Sequence, residues 1–295
     1  MYGGQAVLDG VMIRDRDSAS ICVRKPDGTI SNKYESVPSI SIGRIFRNVP
    51  FIRGIFVILE SLILGYRGLT YSTLVANNAE NEKIDSVSVW LSVILGIFFA
   101  VGVFFILPMF ISNPLEKYLG SSIIINFVEA LLRLLFVFGY ILLISKFLKI
   151  GELFMYHGAE HMVIHAEENH DVLDLNEVKK YPIEHPRCGT AFILYVGIVA
   201  FFVLVFTPRD PILIGIIIRV ITIPIIAGMA YEIIRYTSTY GTTKIGNILS
   251  MPSLALQKLT TRIPNDGQIE VALLAMHKLK ELDNHELKNK GTNLL

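Results

Sequence analysis

The sequence predicts an α-helical polytopic membrane protein, with about four transmembrane helices, a re-entrant or interfacial helix and a small N-terminal cytoplasmic β module. Three observations carry this. Hydrophobic residues make up 52% of the 295 and charged ones only 18%, where soluble chains carry about a quarter charged. Four apolar runs are long enough to cross a hydrocarbon slab of roughly 30 Å. Lys and Arg collect in the segments between alternate runs, as they do in cytoplasmic loops.

Composition also excludes classes. Two cysteines, Cys22 and Cys188, cannot build a disulfide framework, and no basic region with an apolar core and a cleavage site opens the chain, so a secreted protein is not expected. The 27 basic and 26 acidic residues leave a net charge of +1. No specific nucleic-acid partner follows from that balance; the lipid bilayer is the expected surrounding.

Residues 1–50 form the predicted β module. Stretches such as Ile21-Cys22-Val23-Arg24 precede Lys25-Pro26-Asp27-Gly28. Pro followed by Asp-Gly between β-prone runs signals a hairpin, because Pro presets φ and Gly accepts φ > 0. Residues 51–86 hold the run Gly54 to Tyr66, bounded by Arg53 and Arg67 and carrying Glu60. About a dozen residues are too few to span, so a re-entrant or interfacial helix is expected, with a tilted fifth span as the alternative. The spans are Val87 to Ser112 and Ser122 to Phe147, within 87–148, then Ala191 to Thr207 and Pro211 to Tyr231, within 191–234. Segments 1–86, 149–190 and 235–295 hold ten, four and eight Lys and Arg, while the loops 113–121 and 208–210 hold one each, Lys117 and Arg209. Both termini and the middle loop are therefore expected in the cytoplasm.

Within the middle loop, Asp174 and Glu177 form a D-x-x-E capping variant that predicts a short helix. In 235–295, Asn265-Asp266 caps a helix with Ile269, Leu273, Met276 and Leu282 at near-helical spacing. Its apolar face needs a cover, either the protein's own cytoplasmic surface or a partner protein. His285 to Leu295 reads as a frayed polar tail.

Charges inside the spans are costly in hydrocarbon and call for partners. The second and fourth spans run in the same direction, which puts Glu129 and Arg219 about 10 and 12 Å below the outer boundary, with Arg133 one turn deeper than Glu129. Glu129 is expected to face the bundle interior and pair with Arg219, Arg133 or both.

The candidate chemistry lies in 149–190. His157-Gly158-Ala159-Glu160-His161 is H-x-x-E-H, the reversed zincin motif, in which two histidines one turn apart share a metal and the glutamate serves as general base. His165 extends the stripe, but about 12 Å of helical rise separates it from His157, so it is expected beside the ion or facing substrate. Glu184-His185-Pro186-Arg187-Cys188-Gly189-Thr190 offers a third ligand, Cys188 or His185. A divalent metal is expected, zinc first. Polar interface histidines without metal, and a structural zinc, are the plainer alternatives. In Gly3 to Arg14 the glycines allow close backbone approach, and Gln5, Asp9 and Arg14 could reach a polar ligand. The spacing is neither G-x-G-x-x-G nor a P-loop, and docking of the β module onto the histidine loop is the alternative role.

The Gly3-Gly4-Gln5-Ala6-Val7-Leu8-Asp9-Gly10-Val11-Met12-Ile13-Arg14 block, Tyr156-His157-Gly158-Ala159-Glu160-His161 and His185-Pro186-Arg187-Cys188-Gly189-Thr190, in this order, resemble the YqhQ-like family of bacterial membrane proteins. The resemblance extends to Leu259-Thr260-Thr261-Arg262 and Gln268-Ile269-Glu270-Val271-Ala272. It implies a multi-pass protein of the bacterial plasma membrane, from an uncharacterised family that carries the label of a metal-dependent enzyme. Asp9 departs from the glutamate usual in that family.

Two functions follow. In the first, a metal on His157 and His161, helped by Cys188 or His185, activates water; Glu160 takes its proton, and Arg187 or Arg14 steadies an anionic group of a lipid-linked or membrane-protein substrate. In the second, the protein is a non-catalytic scaffold or assembly factor that binds other membrane proteins or the insertion and translocation machinery.

Overall fold

Alternation of apolar side chains builds the N-terminal sheet. A computed structural model describes residues 2–38, 45–46, 48–79, 86–146, 148–209, 211–241 and 243–292, with backbone alone at 86–90, 148–149 and 283–292. Strands β1 (Gly3–Val7), β2 (Gly10–Arg14), β3 (Ser18–Arg24) and β4 (Ile30–Ser36) form an antiparallel meander in the order β1-β2-β3-β4. The Pro-Asp-Gly turn joins β3 to β4, with Gly28 at φ 88° and the Lys25 N–H donating to the Thr29 carbonyl at 2.8 Å. Both faces are covered, since successive side chains point to opposite sides. Val7, Met12, Ala19, Ile21 and Val23 pack on Leu64 and Val75 of helix α1 (Ile52–Ala76). Val11, Ile13 and Cys22 pack on the other side against the histidine-bearing helix and the C-terminal helix.

Helix α1 has 25 residues, so the expected half-length helix is corrected. Apolarity ends near Tyr66, but the chain stays helical because Leu64, Gly68 and Val75 have the sheet to lie on, Gly68 meeting Val7 and Met12. Its first turns rest on another helix, with Gly54 against Tyr231 and Arg53 Nε donating to Glu232 at 2.7 Å.

Among the described residues three helices are long and apolar enough to cross a membrane, 91–119, 122–144 and 212–240. The first runs as α2 (Ser86–Val101), a π turn (Gly102–Ile106), α3 (Leu107–Ser112), a 3-10 turn (Asn113–Leu115) and α4 (Glu116–Leu119). The others are α5 (Ser122–Ile144) and, late in the chain, α9 (Ile212–Tyr240). Between them lie α6 (Leu148–Glu168), the short α7 (Leu175–Val178) and α8 (Gly189–Leu204). The expected third span thus becomes an apolar helix of 16 residues. It is nonetheless central, with Ala191, Tyr195, Val199, Ala200 and Leu204 packed on Ile226 and Ala230 of α9.

Asp174 caps α7, its Oδ1 accepting from the N–H groups of Asn176 and Glu177 at 2.8 and 2.9 Å. Helix α10 (Lys244–Gln257) leads to α11 (Asp266–Thr292), which opens on a capping box: Asn265 Oδ1 accepts from Gln268 N–H and Gln268 Oε1 from Asn265 N–H. The apolar face of α11 lies on the sheet and on α6, with Ile269, Met276 and Leu279 fully buried, so the protein's own surface covers it. Backbone helix continues to Thr292 through the expected polar tail, whose last residues, 293–295, lie outside the described ones.

The intramembrane charges converge. Glu129 accepts from Arg133 Nη2 at 2.9 Å, Arg219 Nη2 at 2.8 Å and Arg209 Nη1 at 2.7 Å. Arg209, read from sequence as an outer-loop cation, is only 2% exposed and also donates to Ser112 Oγ at 2.9 Å. Asn126 Nδ2 donates to the carbonyls of Val205 and Thr207 at 2.8 and 3.0 Å, satisfying groups at the end of the short α8. One carboxylate thus faces three guanidiniums just past the end of α8. Neutral oxygens take up part of the excess positive charge: Asn126 Oδ1 accepts from Arg209 Nη1 at 2.8 Å and the Gly215 carbonyl from Arg219 Nη1 at 3.1 Å.

Candidate metal centre

Helix α6 presents His157, His161 and His165 along one face at four-residue spacing, while Ala159, Val163 and Ala166 on the opposite face are fully buried against the sheet and α11. The His185 to Cys188 segment faces the histidines and is pinned by Gln257, whose Oε1 accepts from His185 N–H at 2.8 Å and whose Nε2 donates to the His185 carbonyl at 2.9 Å. Cys188 caps the N-terminus of α8, its sulfur 3.4 Å from Thr190 N and 3.0 Å from Thr190 Oγ1. The thiol group therefore sits at the positive end of that helix dipole.

Three donor atoms meet. One ring nitrogen each from His157 and His161 and the Cys188 sulfur all lie within 4.8 Å of one another. His157 Nδ1 is 2.9 Å from the Thr260 carbonyl and His161 Nδ1 is 2.6 Å from the Ile183 carbonyl. A carbonyl only accepts, so each Nδ1 carries the proton in the neutral ring, leaving the Nε2 lone pair free. His157 Nε2 is 3.1 Å from the Cys188 sulfur. Histidines that ligate metals are held in this way, through the N–H of the other ring nitrogen. Burial pushes the His161 pKa down, which favours the neutral ring that ligation requires. Two nitrogens and a sulfur fit a borderline-soft ion such as zinc.

Glu160 is 3% exposed, and its Oε2 lies 3.8 Å from His161 Nε2. Desolvation raises its pKa, against the pull of His157 and His185. Strand β1 forms the roof: a Cβ built on Gly4 would stand 2.6 Å from Glu160 Oε1 and 2.7 Å from the Met12 carbonyl. On the far side the Arg262 carbonyl approaches Gly158 so closely that a Cβ there would lie 2.3 Å away. A cavity of about 30 Å³ remains, lined by Gly4, His157, Glu160, His161, Arg187 and Cys188 among others, enough for an ion with a water.

The remaining candidates divide. His185 is outside the three-donor group; its Nδ1 accepts from Arg187 N–H at 3.2 Å and its Nε2 is 3.4 Å from Glu168. His165 Nε2 is 2.9 Å from the Glu184 carbonyl, its ring stacks on Tyr181, and burial pulls its pKa down to about 4. Arg187 lies against Glu168 at the rim, and burial lowers the pKa of its guanidinium. Gln5 points the other way from Gly4, against Gly65 of α1, because neighbouring residues of a strand face opposite sides. Asp9 is spent on the β1–β2 turn at φ 52°, its carbonyl accepting from Arg24 N–H. Arg14 lies in the field of Glu60 and Tyr231, away from the histidines. Gly4 thus makes the close backbone approach expected of the glycines in this block, while Gln5, Asp9 and Arg14 have their contacts elsewhere. Gln257 and Ile183 carried no sequence signal, and Thr260 entered only within a stretch of family resemblance, since Thr260 and Ile183 act through backbone carbonyls that every residue has.

The family described as a protein of unknown function, DUF1385, matches residues 49–282. The chain is 32% identical over 303 residues to the uncharacterised protein YqhQ of Bacillus subtilis (strain 168), covering 96% of this chain and 93% of that one. Neither description carries the metal-dependent-enzyme label that the resemblance implied. No solved structure matches the chain.

Proposed function

Since this chain belongs to the DUF1385 family, whose function is unknown, we propose from its own site that it is a membrane-embedded, metal-dependent enzyme of hydrolase type, working at the cytoplasmic surface. The observation that carries this reading is the convergence of His157, His161 and Cys188 with both Nδ1 protons already committed to backbone carbonyls. A divalent ion held by these three, zinc by donor softness, would supply Lewis acidity and a water of lowered pKa.

The chain's own groups supply the rest. Glu160, desolvated and beside His161, accepts a proton on its carboxylate and returns it to a leaving group. Arg187, held by Glu168 at the rim of the same cavity, receives an anionic group of the substrate. The proposed topology is four crossings of the bacterial plasma membrane, with α8 as the short one and both termini cytoplasmic. Burial of Arg209 supports it, because only Lys117 is then left as a surface cation in the outer loops.

Elemental analysis of the purified, chelator-washed full chain beside a His157→Ala, His161→Ala double variant tests the reading. Stoichiometric zinc in the wild type and its loss in the variant are expected, with Glu160→Gln keeping metal but losing the cellular function. A wild type without metal would sink the enzyme. A stable membrane partner whose capture ignores Glu160→Gln would favour the assembly factor instead.

A further inference from the structure

The cavity at the three donors has room for little beyond an ion, so a substrate must reach it through neighbouring space. That space exists. A second cavity of about 490 Å³ shares Gly4, His157 and Gly189 with the first, so that His157 is a wall common to both. Its size is that of a small-molecule site, roughly 300–1,000 Å³.

Its lining is that of a chain-binding slot. Helix α5 contributes Val137, Tyr140, Ile141 and Ile144, one stripe at helical spacing, and α8 contributes Ile193, Val196 and Gly197 across from it. Gly197 brings the two helices together, since a Cβ there would stand 2.9 Å from Leu134. The imidazole and the guanidinium among the lining groups stand toward opposite ends. At one end are His157, Thr190 and Thr260. At the other is Arg133, its Nε donating to the Phe104 carbonyl in the π turn at 2.9 Å and its guanidinium lying over the Phe105 ring. From Arg133 to Ile144 the helix rises about 16 Å at 1.5 Å per residue, close to one leaflet of a slab roughly 30 Å thick. Tyr140 and Ile193, 46% and 43% exposed, mark where the slot reaches the lipid-facing surface.

We propose that this slot holds one hydrocarbon chain of an inner-leaflet phospholipid-like amphiphile, with its polar head at His157. The substrate of the proposed metal site is then a lipid or lipid-linked molecule that enters sideways from the bilayer, and not a membrane protein or a soluble compound. This assignment of substrate class rests on the enzymatic reading above; the chain-binding slot itself rests only on the geometry of α5, α8 and the π turn.

The test uses the full chain in phosphatidylglycerol and phosphatidylethanolamine vesicles containing a phospholipid with a diazirine near the end of one acyl chain. After irradiation, adducts are mapped by peptide mass spectrometry. They are expected to concentrate on the Val137–Ile144 and Ile193–Gly197 segments over the exposed Leu131, Leu135 and Leu213. Two slot-filling variants, Val196→Trp and the half-exposed Ile193→Trp, are read in parallel so that a fold defect in one leaves the other. Either should lower slot adducts severalfold while leaving those at Leu213 unchanged. Adducts spread evenly over all lipid-facing positions, or undiminished in both fillers, overturn the slot. Slot adducts on a wild type that binds no metal keep the slot and remove the enzyme; even labelling of a zinc-loaded protein removes the slot and leaves the metal reading standing.

Discussion

Arg219 grips both oxygens of Glu129, with Nε 2.9 Å from Oε1 and Nη2 2.8 Å from Oε2. This fork ties α9 to α5, and the same carboxylate holds Arg133 and Arg209. Removing the one anion strands three buried cations, so Glu129→Gln should cost more than any single arginine variant, on the order of 3–5 kcal/mol. Arg219→Leu leaves Glu129 two partners and should cost less. Adding it to Glu129→Gln removes one stranded charge and should return part of the loss. Melting in detergent measures the cycle, and simple additivity of the two losses would show that the pair is not coupled.

Gly4 is predicted to be the position where β1 and the candidate metal centre are jointly sensitive. With Glu160 and the Met12 carbonyl both in the way, Gly4→Ala must lift the strand or displace the carboxylate, at a cost of roughly 1–3 kcal/mol. Metal content should fall with it. Gly3→Ala has nothing within 4 Å of the new Cβ and is the control, expected to melt and load as the wild type does.

Two buried groups should pull stability in opposite directions with pH in the metal-free protein. The Glu160 carboxyl has a folded-state pKa raised above its ordinary 4.5. As pH climbs past 4.5 the unfolded chain releases this proton while the folded one retains it, which costs stability. Metal-free Glu160→Gln should therefore melt higher than the wild type at pH 7, with the gain vanishing below pH 4.5. His165 behaves in reverse, its pKa falling from 6.5 to about 4. The unfolded chain gains a proton that the folded one refuses, so stability is lost as pH falls from 6.5 toward 4, and His165→Gln should flatten that limb. Melting curves across this range check both signs.

Impermeant thiol labelling should separate the two sides of the membrane against low background, because both native cysteines are buried. Tyr118→Cys, at a residue 84% exposed, should react from outside in intact cells. Cysteines at Asp27 and Asn176 should stay silent until the membrane is opened. Labelling at Asn176 in intact cells would move the histidine cluster to the other compartment and overturn the four-crossing topology.

Local chemistry was legible in the amino-acid order. The Pro-Asp-Gly turn, the Asp174 and Asn265 caps, the apolar runs and the four-residue histidine spacing each depend on neighbours within about one helical turn, and each can be read from the letters. Tertiary packing decided the rest. Arg209 lies in a two-span connection and reads as a surface cation, yet it is buried because Glu129 and Ser112, on two neighbouring helices, each offer it an oxygen. The length of α1 was set by the sheet beneath it, and the shortness of α8 was made tolerable by Asn126, which takes the carbonyls just past its last residue. At the candidate metal centre the ligand candidates were visible, but not which of Cys188 and His185 stands with His157 and His161. That depends on Gln257 pinning the His185 backbone and on the Thr260 and Ile183 carbonyls turning the two imidazoles. A carbonyl is present at every position, and glycines that permit close approach do not say which of them will meet Glu160, so these contacts are fixed only once the chain has folded back on itself.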